Sequence, residues 1–213
     1  MSLIYIYYSY ISEDNSENLF KNELPKFSSK YQNKIKKYKR WQDAQLSLLG
    51  RLLLFKAIEE IYKYKPNKKE ILETKFNKPY FKDSSIQFNI SHSGEIVVCA
   101  LCEENQIGID IEMIVDIEIE DFKSQMTENE WLRVILSDTI KETFFDYWTQ
   151  KEAVIKTHGH GLSIPLQTFE ILESKTTINE KTFFLKEAEI DKKYKCYISS
   201  DQDIEVLCIK KYG

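Results

Sequence analysis

The sequence predicts an α+β fold of two similar lobes that meet near residue 105. Three observations carry this. Between residues 41 and 64, Ala44, Leu48, Leu49, Leu52, Phe55, Ile58 and Ile61 recur at the spacing of a helix with one buried face. IQFNIS and IVVCAL flank the turn SHSG and read as a hairpin. Each half of the chain offers a strand, helices and a hairpin, which divides it into lobes at 1–105 and 106–213.

Taken in order, residues 3–10 alternate enough to be a strand. Ser12 or Asp14 can cap a helix running towards Leu24, which Pro25 stops. SSKYQNKIKKYK, residues 28–39, is a basic segment, and Pro66 and Asn67 end the long helix. NKPYF leads into a strand with Ile86, Phe88 and Ile90 on one face. IGIDIE is a further strand, followed by an irregular acidic stretch to about Thr127. Thr127 and Glu130 form a capping box for a helix through Leu136, and another helix covers roughly 140–158. From Leu166 on, TFEIL, TFFLKE, KCYISS and IEVLCIK read as antiparallel strands.

Composition excludes several classes. Hydrophobic residues make up 42% and charged residues 30%, the balance of a globular chain. The net charge of −4 argues against a general nucleic-acid binder, which needs a clustered cationic surface. Cys99 and Cys102 have CxxC spacing, but on an apolar strand they point to opposite faces, so no redox or zinc role is expected. Cys99, Cys102, Cys196 and Cys208 form no disulfide framework. MSLIYIYYSY lacks a basic leader region and a cleavage site, and no apolar run approaches membrane-spanning length. The expectation is a reduced, soluble, cytoplasmic protein with no membrane partner.

Three stretches can carry chemistry. In IGIDIE, strand alternation puts Ile107, Ile109 and Ile111 on one face and Gly108, Asp110 and Glu112 on the other, with open space beside Gly108. Two carboxylates about 7 Å apart repel unless a counter-charge intervenes, and a hard divalent ion such as Mg²⁺ supplies one. A merely solvated acidic face is the alternative. In WTQKEAVIKTHGHGL, Trp148, Glu152 and Lys156 stack at intervals of four on a helix, and Trp148 argues that this face turns inward. A surface salt bridge worth a few tenths of a kcal/mol is the alternative. Gly159 and Gly161 suit a left-handed helix end. His158 and His160 form a loop HxH that is a weak metal signal. In FNISHSG, Ser91 and His92 at a hairpin turn can hold a phosphate; a plain turn is the alternative, and no GxSxG elbow supports a hydrolase.

FNISHSG, GIDIE and WTxKEAxxKxxGxGL in series resemble the 4′-phosphopantetheinyl transferases, specifically the larger surfactin-synthetase type with two fused lobes. NKPYF resembles the family's GKP element with Asn77 in place of glycine, and DAQLSLLGRLLL and GLSIPL match neighbouring stretches. The resemblance implies a pseudo-dimer of two α/β lobes with the active site between them. It implies transfer of the 4′-phosphopantetheine arm of coenzyme A to a serine of an apo acyl or peptidyl carrier protein, releasing adenosine 3′,5′-bisphosphate. It implies Asp110, Glu112 and Glu152 as Mg²⁺ ligands. Ser91, His92, Lys78 and Lys34 would hold coenzyme A phosphates, with Lys151 and Lys156 along the pyrophosphate and 3′-phosphate. Asp110, Glu152 and Lys156 would be catalytic, with Glu152 or a metal-bound water as base. His160 stands where the family commonly has a basic residue, and Val115 to Gln125, where the family recognises its carrier, departs most.

Two rivals follow from the same residues. A Mg²⁺-dependent nuclease or phosphatase on Asp110, Glu112 and Glu152 leaves SHSG and KEA unexplained. A non-catalytic scaffold that binds carrier proteins leaves an intact set of carboxylates and lysines without a use. The KIKKYKR run can suggest RNA, but at this net charge a solvated or cofactor-facing basic helix is expected. A site completed within one chain favours a monomer.

Overall fold

The computed structural model describes residues 3–14 and 16–213, with nothing said of the Leu162 side chain. The first half holds β1 (Leu3–Tyr10), α1 (Ser16–Glu23), α2 (Ser29–Ile35), α3 (Trp41–Tyr62), a small hairpin of β2 (Ile71–Glu73) and β3 (Pro79–Phe81), and the long hairpin of β4 (Ile86–Ser93) and β5 (Ile96–Glu103). The second half holds β6 (Ile107–Met113), α4 (Glu128–Ile135), α5 (Ile140–His158), β7 (Lys175–Ile178), β8 (Lys181–Glu187), β9 (Tyr194–Ser200) and β10 (Val206–Lys211).

Among the described residues two four-stranded sheets form, in the orders β10-β1-β5-β4 and β6-β9-β8-β7. The period-two pattern of each strand decides the layering. Tyr7, Phe88, Val97, Cys99 and Leu101 face α3, where Leu46, Leu53, Leu54, Ala57 and Ile58 cover them. Ile4, Ile6, Val98 and Ala100 on the opposite face meet Ile107, Ile109, Ile111 and Ile198 of the second sheet. Beyond that sheet lies α5, whose Ala153, Val154 and Ile155 pack with Phe183, Leu185 and Tyr197. The order is helix, sheet, sheet, helix, an α+β fold of two helix-backed sheets.

The expected helix at 140–158 and the Thr127–Glu130 capping box are both present. Cys99 and Cys102 lie in opposite cores, Cys99 under α3 and Cys102 between the sheets, and both are free. Several expectations need correction. The first helix begins at Ser16, beyond Ser12 and Asp14, and Asn15 lies outside the described residues. TFEIL is not a strand: its start is a 3-10 turn, and Leu172 makes a single bridge to Lys175. IEVLCIK does form a strand, but β10 leaves the second sheet and pairs parallel with β1, Leu3 opposite Val206. That pairing completes the first sheet's edge with a segment about two hundred residues away, which no local pattern encodes. Among the described residues no helix is long and apolar enough to cross a membrane.

Candidate active site

The site forms along the seam between the two sheets. Bonded partners on β4 and β6 keep a near-constant offset, 89 with 109, 91 with 110, and 93 with 112 and 113, so the strands run parallel and side by side. They belong to different sheets, and side chains join them. The N–H of Ile109 donates to Asn89 Oδ1 at 2.9 Å, and the N–H of Met113 donates to Ser93 Oγ at 3.0 Å. Lys78 Nζ donates to the carbonyls of Ile107 and Lys156 at 3.1 and 2.8 Å, tying β6 to the end of α5. Edge groups of β6 that would be costly to bury unpaired are thereby satisfied.

Asp110 is almost wholly buried on β6. Its Oδ1 accepts from Ser91 Oγ at 2.9 Å and lies 2.5 Å from Lys156 Nζ, which also donates to Ser91 Oγ at 2.8 Å. Its Oδ2 is buried and accepts no hydrogen bond among the described residues. Glu112, two residues on, accepts from Ser93 Oγ at 2.8 Å, and burial, then the Asp110 charge, push its carboxyl up to about 7. Glu152 lies one turn before Lys156 on α5, and its carboxyl is raised by burial and again by Asp110. Burial and the Asp110 charge thus act on both glutamates in the same direction. Glu152, Lys156, Lys78, Asn89 and Gly159 line a cavity of about 290 Å³ between the halves.

Trp148 turns inward, as its place above Glu152 and Lys156 implied, and packs with Phe122 and Phe144. Gly159 caps α5 with φ 82°, the left-handed conformation that glycine adopts without steric cost. Gly108, by contrast, leaves no open space. A Cβ there would stand 2.3 Å from the Thr157 amide nitrogen and 2.4 Å from the Ala153 carbonyl, so the missing side chain lets α5 press directly on β6.

Other site residues fall differently from expectation. Ser91 and His92 lie within β4, not at the turn, which falls at Gly94. The Ser91 hydroxyl is committed to Asp110 and Lys156. Solvent reaches His92, although neighbouring protein atoms strip part of its hydration and, with Lys156, hold its imidazole below the usual value. Lys78 reaches the site, but both of its named bonds are to main-chain carbonyls, and burial lowers its ammonium to about 8. Lys34 is not brought to the acidic group. It lines a cavity of about 460 Å³ with Lys30, Arg51, Lys68 and Lys69, beside Ile71, Leu72 and Tyr80 of the β2–β3 hairpin.

Lys151 does not face a ligand. Its side chain is 0% exposed and its ammonium is held by Glu130 at 2.8 Å and by the carbonyls of Leu166 and Phe169 at 2.8 and 2.6 Å. The helix turn points it into the second half's own core, away from Lys156. Asn89 and Ser93 are the site residues that the sequence reading passed over. Their signal was legible: Asn89, Ser91 and Ser93 are short polar residues at every second position of the strand IQFNISHS.

The residues suit a divalent cation. Three carboxylates face one ammonium, which leaves two negative charges uncompensated when all are ionised, and the buried Asp110 Oδ2 is an oxygen donor without a partner. Among the described residues no three His, Cys, Asp or Glu side chains already close around one point, so the arrangement is a cradle rather than a cage. His158 and His160 meet edge to face, ring centroids 4.5 Å apart, and His160 lies tilted against Phe76.

Fold and site together define an α+β protein with an acidic cleft along the seam between its two larger sheets. Residues 14–104 match the family described as 4′-phosphopantetheinyl transferase, N-terminal, and residues 106–206 match the 4′-phosphopantetheinyl transferase superfamily. The chain is 35% identical over 178 residues to the 4′-phosphopantetheinyl transferase gsp of Aneurinibacillus migulanus, covering 79% of this chain and 74% of that one. It is 31% identical over 169 residues to the 4′-phosphopantetheinyl transferase Sfp of Bacillus subtilis (strain 168), covering 78% and 75%. A crystal structure of Thermotoga maritima holo-[acyl-carrier-protein] synthase aligns with 45% of this chain and 61% of that one, at 17% identity and a TM-score of 0.36. The chain belongs to the 4′-phosphopantetheinyl transferase family.

Proposed function

We propose that the chain transfers the 4′-phosphopantetheine arm of coenzyme A to a serine hydroxyl of an apo acyl or peptidyl carrier protein, giving the holo-carrier and adenosine 3′,5′-bisphosphate. The observation that carries this reading is the convergence of Asp110, Glu112, Glu152 and Lys156 on the seam, from β6 and α5. Asp110, Glu112 and Glu152 would hold Mg²⁺, which when bound neutralises pyrophosphate charge and stabilises the charge that grows in phosphoryl transfer.

The chain's own residues divide the remaining work. Lys156 Nζ sits at the cavity wall and donates to the pyrophosphate as the bond to the leaving bisphosphate breaks. Ser91 holds that ammonium and the Asp110 carboxylate in a fixed relation. Glu152, its carboxyl raised by burial and the Asp110 charge, accepts the proton of the attacking serine hydroxyl. Gly108 lets α5 press on β6 and so sets the distance between the two sources of acid. His92 stands at the surface of β4 beside Lys156, where an anionic group of coenzyme A can meet it. Lys34 and the cations of its cavity suit a further phosphate. Lys78 shapes the cavity floor through its main-chain bonds.

The lobes are read as 1–105 and 106–213, with β10 laid back across the first sheet; the family matches at 14–104 and 106–206 support that boundary. Because both halves supply site residues, the chain is read as a monomer that works in the cytoplasm and takes no nucleic acid or membrane partner. The test is incubation with coenzyme A, Mg²⁺ and several apo carrier proteins, followed by carrier mass. A gain of one phosphopantetheine unit is expected. No gain on any carrier, or cleavage of coenzyme A without a carrier, would sink the reading.

A further inference from the structure

Ser93 has a hydrogen-bond arrangement that leaves it one orientation. The N–H of Met113 can only donate, so Ser93 Oγ accepts that bond at 3.0 Å. A hydroxyl carries one proton, and the Ser93 proton goes to Glu112 Oε2 at 2.8 Å. Both backbones are already fixed. Ser93 pairs with Ile96 in the β4–β5 ladder, and Glu112 pairs with Lys195 in the β6–β9 ladder. The turn that follows Ser93 is pinned as well, since the N–H of Glu95 donates to Tyr194 Oη at 3.1 Å. What the ladders leave free is the long Glu112 side chain, whose rotors cost entropy to order. Ser93 orders it. Two residues earlier Ser91 has the same form, accepting from Lys156 and donating to Asp110. Two serines at successive inward positions of β4 thus address two carboxylates at successive positions of β6.

We infer that Ser93 is a positioning residue, holding Glu112 in the geometry in which it can ligate the divalent ion. The inference rests on the proposed role of the acidic cradle. A group that orients a metal ligand through a hydrogen bond changes metal affinity about 10- to 100-fold when removed.

The test is Mn²⁺ binding to the full chain, read as loss of the free-ion electron paramagnetic resonance signal, with and without coenzyme A. Ser93→Ala is expected to weaken Mn²⁺ binding about 10-fold, and Ser93→Thr, which keeps the hydroxyl, to stay within about threefold of the native chain. In a Glu112→Gln background Ser93→Ala is expected to change Mn²⁺ binding less than twofold, because its effect passes through Glu112. Ser93→Cys, similar in size and a poor donor, replaces Ser93→Ala should that variant fail to fold. Native-like Mn²⁺ affinity in Ser93→Ala, or an equal loss with and without Glu112, overturns the inference while leaving the cradle intact. Absence of Mn²⁺ binding by the native chain overturns the cradle, and the inference with it.

Discussion

Lys151 and Lys156 stand five residues apart on α5, and each faces a carboxylate, yet the two pairs serve opposite ends. Five residues advance a helix by well over a third of a turn beyond one full turn, which sends the two ammoniums to different environments. Lys151 and Glu130 are both 0% exposed, and every donor of the ammonium has an acceptor. Glu130 is equally committed, accepting from the N–H groups of Thr127 and Ile171 at 3.0 and 2.9 Å. This is a closed network that joins α4, α5 and the loop at 166–171. Lys156 is 28% exposed at the wall of a cavity, and its partner Asp110 keeps one oxygen free of donors among the described residues. A satisfied network holds structure; a half-satisfied one is available to a ligand.

The largest effect expected from this contrast is on stability. Lys151→Ala leaves Glu130 buried and unpaired and should cost about 3–5 kcal/mol in urea unfolding; a loss below about 1 kcal/mol would remove the distinction between the two pairs. Lys156→Ala should act chiefly on rate, slowing transfer to an apo carrier about 100-fold, near 2.7 kcal/mol, with a smaller loss of stability than Lys151→Ala because Lys156 is partly exposed. A large fall in stability without a fall in rate would reassign Lys156 to the fold. Gly108→Ala tests the closeness of α5 to β6, on which the Lys156–Asp110 pair depends. Its Cβ meets helix backbone that cannot yield, so it should destabilise by about 1–3 kcal/mol and widen the gap between Asp110 and Lys156, slowing transfer as well.

The smallest effect is on pH dependence. The Glu112 carboxyl is raised from 4.5 to about 7, and that of Glu152 is also raised, so between these pH values the folded chain binds more protons than the unfolded chain. Metal-free stability should therefore fall as pH rises from 4.5 to 7. Mg²⁺ needs the ionised carboxylates, so the gain in Tm on adding it should grow over the same window. Melting curves of native protein and Glu112→Gln with and without Mg²⁺ check this; an unchanged slope in Glu112→Gln would detach the effect from that residue.

Much of the cradle was legible in the order of residues. IGIDIE alternates, so its isoleucines enter the inter-sheet core and Asp110 and Glu112 share the other face. Glu152 and Lys156, four apart, share a helix face with Trp148. The two lysines of KEAVIK were not separable in this way, since both were assigned to ligand phosphates and one belongs to the core. Gly108 was misread for a related reason. The absence of a side chain says that something approaches, but not whether it is a ligand or a helix.

What the sequence by itself determined is therefore local: the span of α5 and its left-handed glycine end, the Thr127–Glu130 cap, the hairpin of β4 and β5, and the facing of β4, β5 and β6. These follow from backbone sterics and periodicities between residues a few positions apart. Only the tertiary structure decided that Lys151 is sealed with Glu130, that Ser91 and Ser93 address the acids of β6, and that β10 crosses to β1. Each of these joins segments from about 20 to 200 positions apart, and burial and partnership arise only when packing brings such segments together.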